Sequence, residues 1–292
     1  TTEKNFDIRF NLPVEIKGRG LALDIAENAG NRDTTFWKTY RPDSISQRGE
    51  ATYKIIDSIV EEEDIERNIK LARKLLRGYY PTKYIDLDLR YLLKYNGYEG
   101  FRIGMGGVTN SGFSQKYRLN AYLVYGTKDH KFKYGLGAAA RLDRFTDTWL
   151  GGFYTDDLVE TGSYAFITEG RSFSLLEPRL FNIERFHKNR SAGAYLAHDI
   201  TPKFQTKLQF TSNRIAPTYN YTFIKDGAEY SGFKTTTLTF AAQWDPFSDY
   251  MMTPQGKSEI RIGYPKFTLQ LTQGIAGILD ADFNFTKLNI RA

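Results

Sequence analysis

The 292-residue chain contains no cysteine. Disulfide staples and thiolate metal sites are therefore excluded. Nowhere does it hold the run of about 18 consecutive apolar residues that a membrane-spanning helix requires. Histidine occurs only as His130, His187 and His198, and none belongs to an H-E-x-x-H or comparable ligand spacing, so no metal or cofactor is expected. There is no fixed-period repeat or low-complexity tract, which argues against a propeller or a solenoid. The net charge is +6 and the pI 9.2. Lysine and arginine are nonetheless scattered rather than gathered into a stripe, so nucleic acid is not an expected partner.

What is abundant is aromatic side chain, with 20 Tyr and 21 Phe, set in a two-residue alternation. Phe204, Thr206, Leu208 and Phe210 point one way, while Gln205, Lys207 and Gln209 point the other. The same beat runs through Leu119, Ala121, Leu123 and Tyr125, through Phe132, Tyr134, Leu136 and Ala138, and through Phe267, Leu269 and Leu271. A strand with one apolar and one polar face separates two unlike media. About a dozen such segments of roughly 9–11 residues predict an all-β chain, an antiparallel transmembrane β-barrel with a polar interior. The mean hydropathy of -0.48 argues against helical spans but not against a barrel, whose lumen and loops are polar.

The predicted organisation is a periplasmic or interfacial segment over residues 1–83 and barrel strands over 84–292. In the first part, Phe6 to Phe10 suit a short strand, and Phe36-Trp37-Lys38-Thr39-Tyr40-Arg41-Pro42 is an aromatic and basic cluster. Residues 44–77 predict the helical region, with Ser44 and Gln47 as a capping box, read either as a small periplasmic helical hairpin or as an interfacial or plug helix at the barrel mouth. Ile65, Ile69, Ala72 and Leu76 follow one helical face, and Gly78 and Pro81 stop the helix. Hairpins are expected at 117–142, turning at Lys128-Asp129-His130, and at 192–212, turning at Thr201-Pro202-Lys203. A tight turn is expected at Asp226-Gly227.

The lumen-facing set is expected to be Asp86, Asp88, Arg90, Arg102, Lys207, Glu259 and Arg261. Its mixed sign suggests salt-bridged filling rather than an ion-selective ring. Asp86-x-Asp88 lacks the remaining ligands of a calcium loop. Gly104-Met105-Gly106-Gly107 has no helix after it on which to seat a phosphate. Gly104, Gly106, Gly135 and Gly137 instead share the inward face, where a missing side chain allows a plug or a folded-in loop close to the wall, or lets the wall bend. No catalytic residue is expected. The alternatives are a barrel-embedded lipid hydrolase using His198 with Ser191 or Ser212, and a soluble β-rich polysaccharide binder using Tyr219 and Tyr221 as stacking platforms.

Four motifs carry a family resemblance. They are the F-W-x-x-x-R-P element at 36–42 and the Y-N-x-x-E-G-x-R-x-G element at 95–104. The third is Y-G-x-x-D-x-x-F-K-Y-G-L-G at 125–137, and the fourth is the Y-P and T-x-G pair at 264–265 and 272–274. Together they resemble an uncharacterised Gram-negative outer-membrane family in which a carboxypeptidase-regulatory-like domain precedes a large barrel. That barrel is distantly similar to the surface-antigen, or outer-membrane assembly factor, superfamily. The resemblance implies a bacterial outer-membrane location, a lipid bilayer with lipopolysaccharide as surroundings, and a role in transport, translocation or envelope assembly as a subunit of a larger complex. It also implies a regulatory-like domain before Thr1 and further strands after Ala292. The V-R-G lid motif and transport-associated repeats of the assembly factors are not found.

Overall fold

The hydrophobic alternation resolves into one long antiparallel sheet in a computed structural model, which describes residues 20–25, 29, 32–33, 35–36, 39, 46–62, 64–169, 173, 183–225, 227–253 and 256–292. A two-residue strand β1 (Leu23–Asp24) precedes helices α1 (Gln47–Glu62) and α2 (Ile65–Leu76). The helices meet at Asp64, whose φ is 50°. Gly78, with φ 76°, closes α2 by donating its N–H to the Leu75 carbonyl at 2.8 Å. Only a residue without Cβ takes that left-handed turn freely. The expected strand at Phe6 to Phe10, most of the 36–42 cluster, Ser44 and Asp226 lie outside the described residues. The expected Ser44–Gln47 capping box is corrected: α1 starts at Gln47, and the Ser46 hydroxyl oxygen accepts the Gly49 N–H at 3.2 Å. Ile69, Ala72 and Leu76, from the expected apolar face of α2, are exposed.

The sheet then builds from β2 (Tyr79–Pro81), β3 (Ile85–Asp88), β4 (Leu93–Asn96), β5 (Gly100–Thr109), β6 (Tyr117–Gly126), β7 (Phe132–Asp143), β8 (Thr148–Glu160), β9 (Phe186–Thr201) and β10 (Phe204–Pro217). A small hairpin, β11 (Phe223–Lys225) and β12 (Ala228–Tyr230), turns at Gly227 and stands apart. Next come β13 (Phe233–Trp244), β14 (Asp249–Thr253), β15 (Gly256–Arg261), β16 (Phe267–Gly274) and β17 (Phe285–Arg291). The twelve-stranded order is β17-β16-β13-β10-β9-β8-β7-β6-β5-β3-β2, with β4 also on β5. Both expected long hairpins are present, as β6–β7 and β9–β10. No pairing joins β17 to β2 among the described residues, so the sheet has two edges.

Two further expectations are corrected. Residues 85–91, which fall within the barrel strands expected over 84–292, do not form one continuous strand; the chain breaks at Leu89–Tyr91, a 3-10 turn, because the Asp88 carboxylate accepts the Arg90 N–H at 3.0 Å. β3 and β4 are thus two halves of one interrupted strand beside β5. The segment 256–261 is not part of the long wall. It forms a three-stranded sheet with β14 and β1, in which β1 runs parallel to β14.

The faces of the long sheet are inverted relative to a protein with an apolar core. Leu123, Leu136, Leu150, Leu196, Leu208, Phe240 and Leu271 share the outward face and are exposed, with Met105 reaching 69%. The opposite face carries Lys133, Arg141, Ser191, Thr211, Thr237, Thr239, Thr268 and Gln270, all buried.

Candidate functional site

The inward face gathers its charges at the end of the sheet formed by the starts of β5, β7 and β9. The residues 95–104 and 125–137 interlock there. The Asn96 side-chain oxygen accepts the N–H groups of Tyr98 (3.1 Å) and Glu99 (2.8 Å), and its amide donates to Glu99 at 2.7 Å. This bends the chain so that Gly100, at φ 72°, enters β5 and Glu99 is left 1% exposed. Buried acids need partners. Lys133 Nζ supplies one at 2.6 Å and also reaches Asp129 at 2.7 Å. From the facing turn, Lys128 donates its N–H to the Glu99 carbonyl at 2.7 Å and its ammonium to the Gly97 carbonyl at 2.6 Å.

Two residues into β5, Arg102 spans both oxygens of Asp157 at 2.7 Å each and reaches Glu99 at 3.3 Å. Tyr122 donates its hydroxyl to Asp157 at 2.7 Å. The forked guanidinium and planar carboxylate match geometrically, so the pair fixes β5 against β8 across two intervening strands.

The expected lumen set is distributed as follows. Asp86 pairs with Lys74 and accepts from Asn110 at 3.0 Å. Asp88 pairs with Arg90 at 2.9 Å. Lys207 lies over the Tyr195 ring at 4.5 Å and donates to the Ile167 carbonyl at 3.2 Å. Glu259 pairs with Lys266 at 2.8 Å and Arg261 with Asp249 at 2.7 Å, both in or beside the three-stranded sheet rather than on the wall. Glu99, Tyr122, Lys133 and Asp157 were absent from that set. Glu99 and Lys133 stood within the quoted motifs, but no spacing rule tells which distant charge each meets.

The space beside the inward glycines is filled by neighbouring side chains or backbone. A Cβ at Gly106 would overlap Tyr91, one at Gly135 would overlap Tyr122, and one at Gly137 would overlap Asn120. Tyr91 and Tyr122 stack with centroids 4.3 Å apart and 6° between planes. The 3-10 turn between β3 and β4 carries Tyr91 to this position. At Gly104 the crowding comes from the β6 backbone.

A folded-in segment lies elsewhere. The first part of the long β8–β9 connection turns onto the inner face of β10, β16 and β17. Gln270 accepts the Ile167 N–H at 2.9 Å. Arg291 holds Glu169 at 2.9 Å and covers the Phe166 ring at 4.5 Å, and Lys287 covers Tyr164 at 4.3 Å. Further along, the Phe173 ring fills the space beside Gly78, next to the opposite edge strand β2. Four residues carry the chain at most about 14 Å. One short stretch therefore reaches β17 at one edge of the sheet and the start of β2 at the other.

At one end, β14 and β15 close over the wall. Lys257 pairs with Asp199 and donates to the Pro202 carbonyl at 3.1 Å. Arg144 donates to the carbonyls of Ile25 and Thr253 at 3.2 and 3.0 Å. Tyr250 donates to the buried Asp245 at 2.7 Å, and burial together with that bond holds its hydroxyl pKa above the ordinary tyrosine value. At the other end a cavity of about 830 Å³ is lined by Tyr219, Tyr221, Phe223, Phe233, Phe283 and His187.

The residues of the hydrolase alternative are not brought together. His198 faces outward and bonds Thr148 Oγ1 at 2.8 Å. Ser191 faces inward, bonded to Asn213, and Ser212 pairs with Ala192, about 20 Å along the strand from the His198 rung. Among the described residues no cluster of three His, Asp or Glu side chains is placed to hold a metal ion. No described helix is long and apolar enough to cross a membrane.

Fold and site together define a mostly antiparallel β-sheet protein with a buried, ion-paired polar face and an exposed apolar one. Residues 78–292 match the C-terminal domain of a family of unknown function (DUF5686), and the chain belongs to that family. Neither the curated proteins nor the solved structures contain a match.

Proposed function

We propose that this chain forms the wall of an integral outer-membrane β-barrel that serves transport, translocation or envelope assembly, as a subunit of a larger complex in a bilayer containing lipopolysaccharide. The observation that carries the reading is the inversion of the two faces. An exposed sheet face of Leu, Phe, Met and Ile is an aggregation site in water and the ordinary surface of a strand in lipid.

Dimensions support it. Tyr117 and Tyr125 bound the outward apolar stretch of β6, and roughly eight residues at ~3.3 Å rise make ~26 Å of strand, or ~20 Å after a ~40° tilt. Outward aromatics edge the band at both rims, with Phe101, Tyr125 and Phe132 at one, and Trp244 and Phe267, stacked at 5.5 Å, at the other. The segment that touches Arg291 and Gly78 favours a curled sheet whose edges approach each other. The inward ion pairs and the folded-in segment favour a lumen that is filled on one side.

The test is a gel comparison of cold and boiled protein extracted in mild detergent from outer membranes. A heat-modifiable band that resists carbonate extraction is expected. A carbonate-soluble protein with no shift would overturn the reading. The aromatic cavity would then stand as the polysaccharide-binding surface of a soluble protein.

A further inference from the structure

Along the rim where β9 begins, the outward face carries bases in register. Arg190 is directly opposite Arg214, and Arg214 directly opposite Lys234, across β9, β10 and β13. Lys188 is opposite Ala216, one rung further out and diagonal to Arg214. Lys131, from the β6–β7 turn, stands beside Lys188. Like charges placed directly across a ladder destabilise it.

Neighbouring acids relieve only part of this repulsion. Asp156 pairs with Arg190 at 2.9 Å, and Asp280 with Lys234 at 2.9 Å. Asp282 is engaged by the Lys234 N–H at 2.6 Å. Glu160 lies on the same outward face of β8, opposite Phe186. Lys131, Lys188 and Arg214 form no ion pair with an acid among the described residues. Lys188, with Lys131 beside it and Arg214 diagonal to it, lies at the edge of the apolar band, which continues below through Ala194, Leu196, Phe210 and Leu238.

We infer that Lys131, Lys188 and Arg214 are a binding site for the phosphate of an anionic lipid, with Arg190 and Lys234 as flanking donors. The inference rests on the membrane reading above. The occupant is a lipid rather than a free ion because the three bases sit at the edge of the exposed apolar band. A phosphate held there hangs its acyl chains along the exposed leucines and phenylalanines of the same strands. Each base near an anionic headgroup contributes on the order of 1 kcal/mol, which is roughly fivefold in lipid preference.

The experiment reconstitutes the full chain in phosphatidylcholine vesicles. Electron spin resonance then measures the association of spin-labelled phosphatidic acid relative to spin-labelled phosphatidylcholine. A preference of roughly fivefold or more for the anionic lipid is expected. It should fall towards one in the K188Q/R214Q variant and persist in K116Q, a base in the β5–β6 turn at the other rim. Cold-versus-boiled gels check that each variant is folded. Insertion without headgroup preference, or equal loss in K116Q, overturns the lipid site and leaves the membrane reading standing. Loss of the preference on adding inorganic phosphate overturns the lipid as occupant. Failure to insert into any vesicle overturns both.

Discussion

Arg102 and Asp157 lie 55 residues apart in sequence and meet through two parallel 2.7 Å hydrogen bonds on the inward face. Both are largely buried, with side-chain exposures of 13% and 16%. Removing one partner leaves the other charge uncompensated, which costs about 3–5 kcal/mol, whereas removing both costs much less. Arg102→Met should therefore lower folding stability by about 3 kcal/mol, and the double variant with Asp157→Leu should recover most of it. Heat-modifiability midpoints of the four proteins would close the cycle, and additive losses would refute the coupling.

The glycine–tyrosine contact makes a second expectation. Gly135→Val should destabilise the sheet by about 1–3 kcal/mol, because its side chain must displace the Tyr122 ring. In a Tyr122→Ala background the same change should cost clearly less, since the space is then vacant. Urea midpoints of the single and double variants decide the matter.

Outward substitutions should depend on depth. Leu271 sits in the middle of the band, opposite Phe240 and Leu288, so Leu271→Arg should cost about 2–4 kcal/mol in lipid. Ile200, near the rim, should tolerate arginine at about 0–1 kcal/mol. Equal costs in refolding titrations into vesicles would count against a bilayer around this face.

In the proposed barrel the folded-in segment should narrow the lumen. Releasing it with Glu169→Ala and Gln270→Ala removes two of its anchors, to Arg291 and Ile167. Single-channel conductance of the reconstituted protein should rise in the double variant. Unchanged conductance would mean that the segment does not line the conducting path.

Tyr250 gives a pH dependence outside the wall. Its folded pKa is raised above the unfolded value, so the neutral hydroxyl is the form the fold favours. The stabilisation is fully present below about pH 10, the ordinary tyrosine value, and is lost as pH rises through the higher folded pKa. Tyr250→Phe should lose about 1–3 kcal/mol at neutral pH, because the buried Asp245 gives up a donor. The difference from the parent protein should shrink in strong alkali. Stability measured across that range in both proteins tests the sign.

The class of fold was legible because period-two alternation is a local property. Leu119, Leu123, Leu136, Leu208 and Leu271 announce an outward face without reference to any partner, and the turns at 128–130 and 201–203 follow from adjacent residues. The break at Leu89–Tyr91 was not legible, because it turns on one side-chain bond from Asp88 and on the space Gly106 leaves for Tyr91. Nor was the diversion of β14 and β15, since their alternation is the same as that of wall strands.

The sequence by itself determined that many strands would carry one apolar and one polar face, and roughly where each hairpin turns. Only the tertiary structure decided that β13 pairs with β16 across the intervening hairpin, that Glu99 meets Lys133 and Arg102 meets Asp157, and that the segment after β8 folds inward. The physical reason is that face assignment depends on neighbours two residues away. Charge pairing and loop placement depend on register summed across strands that the chain reaches much later.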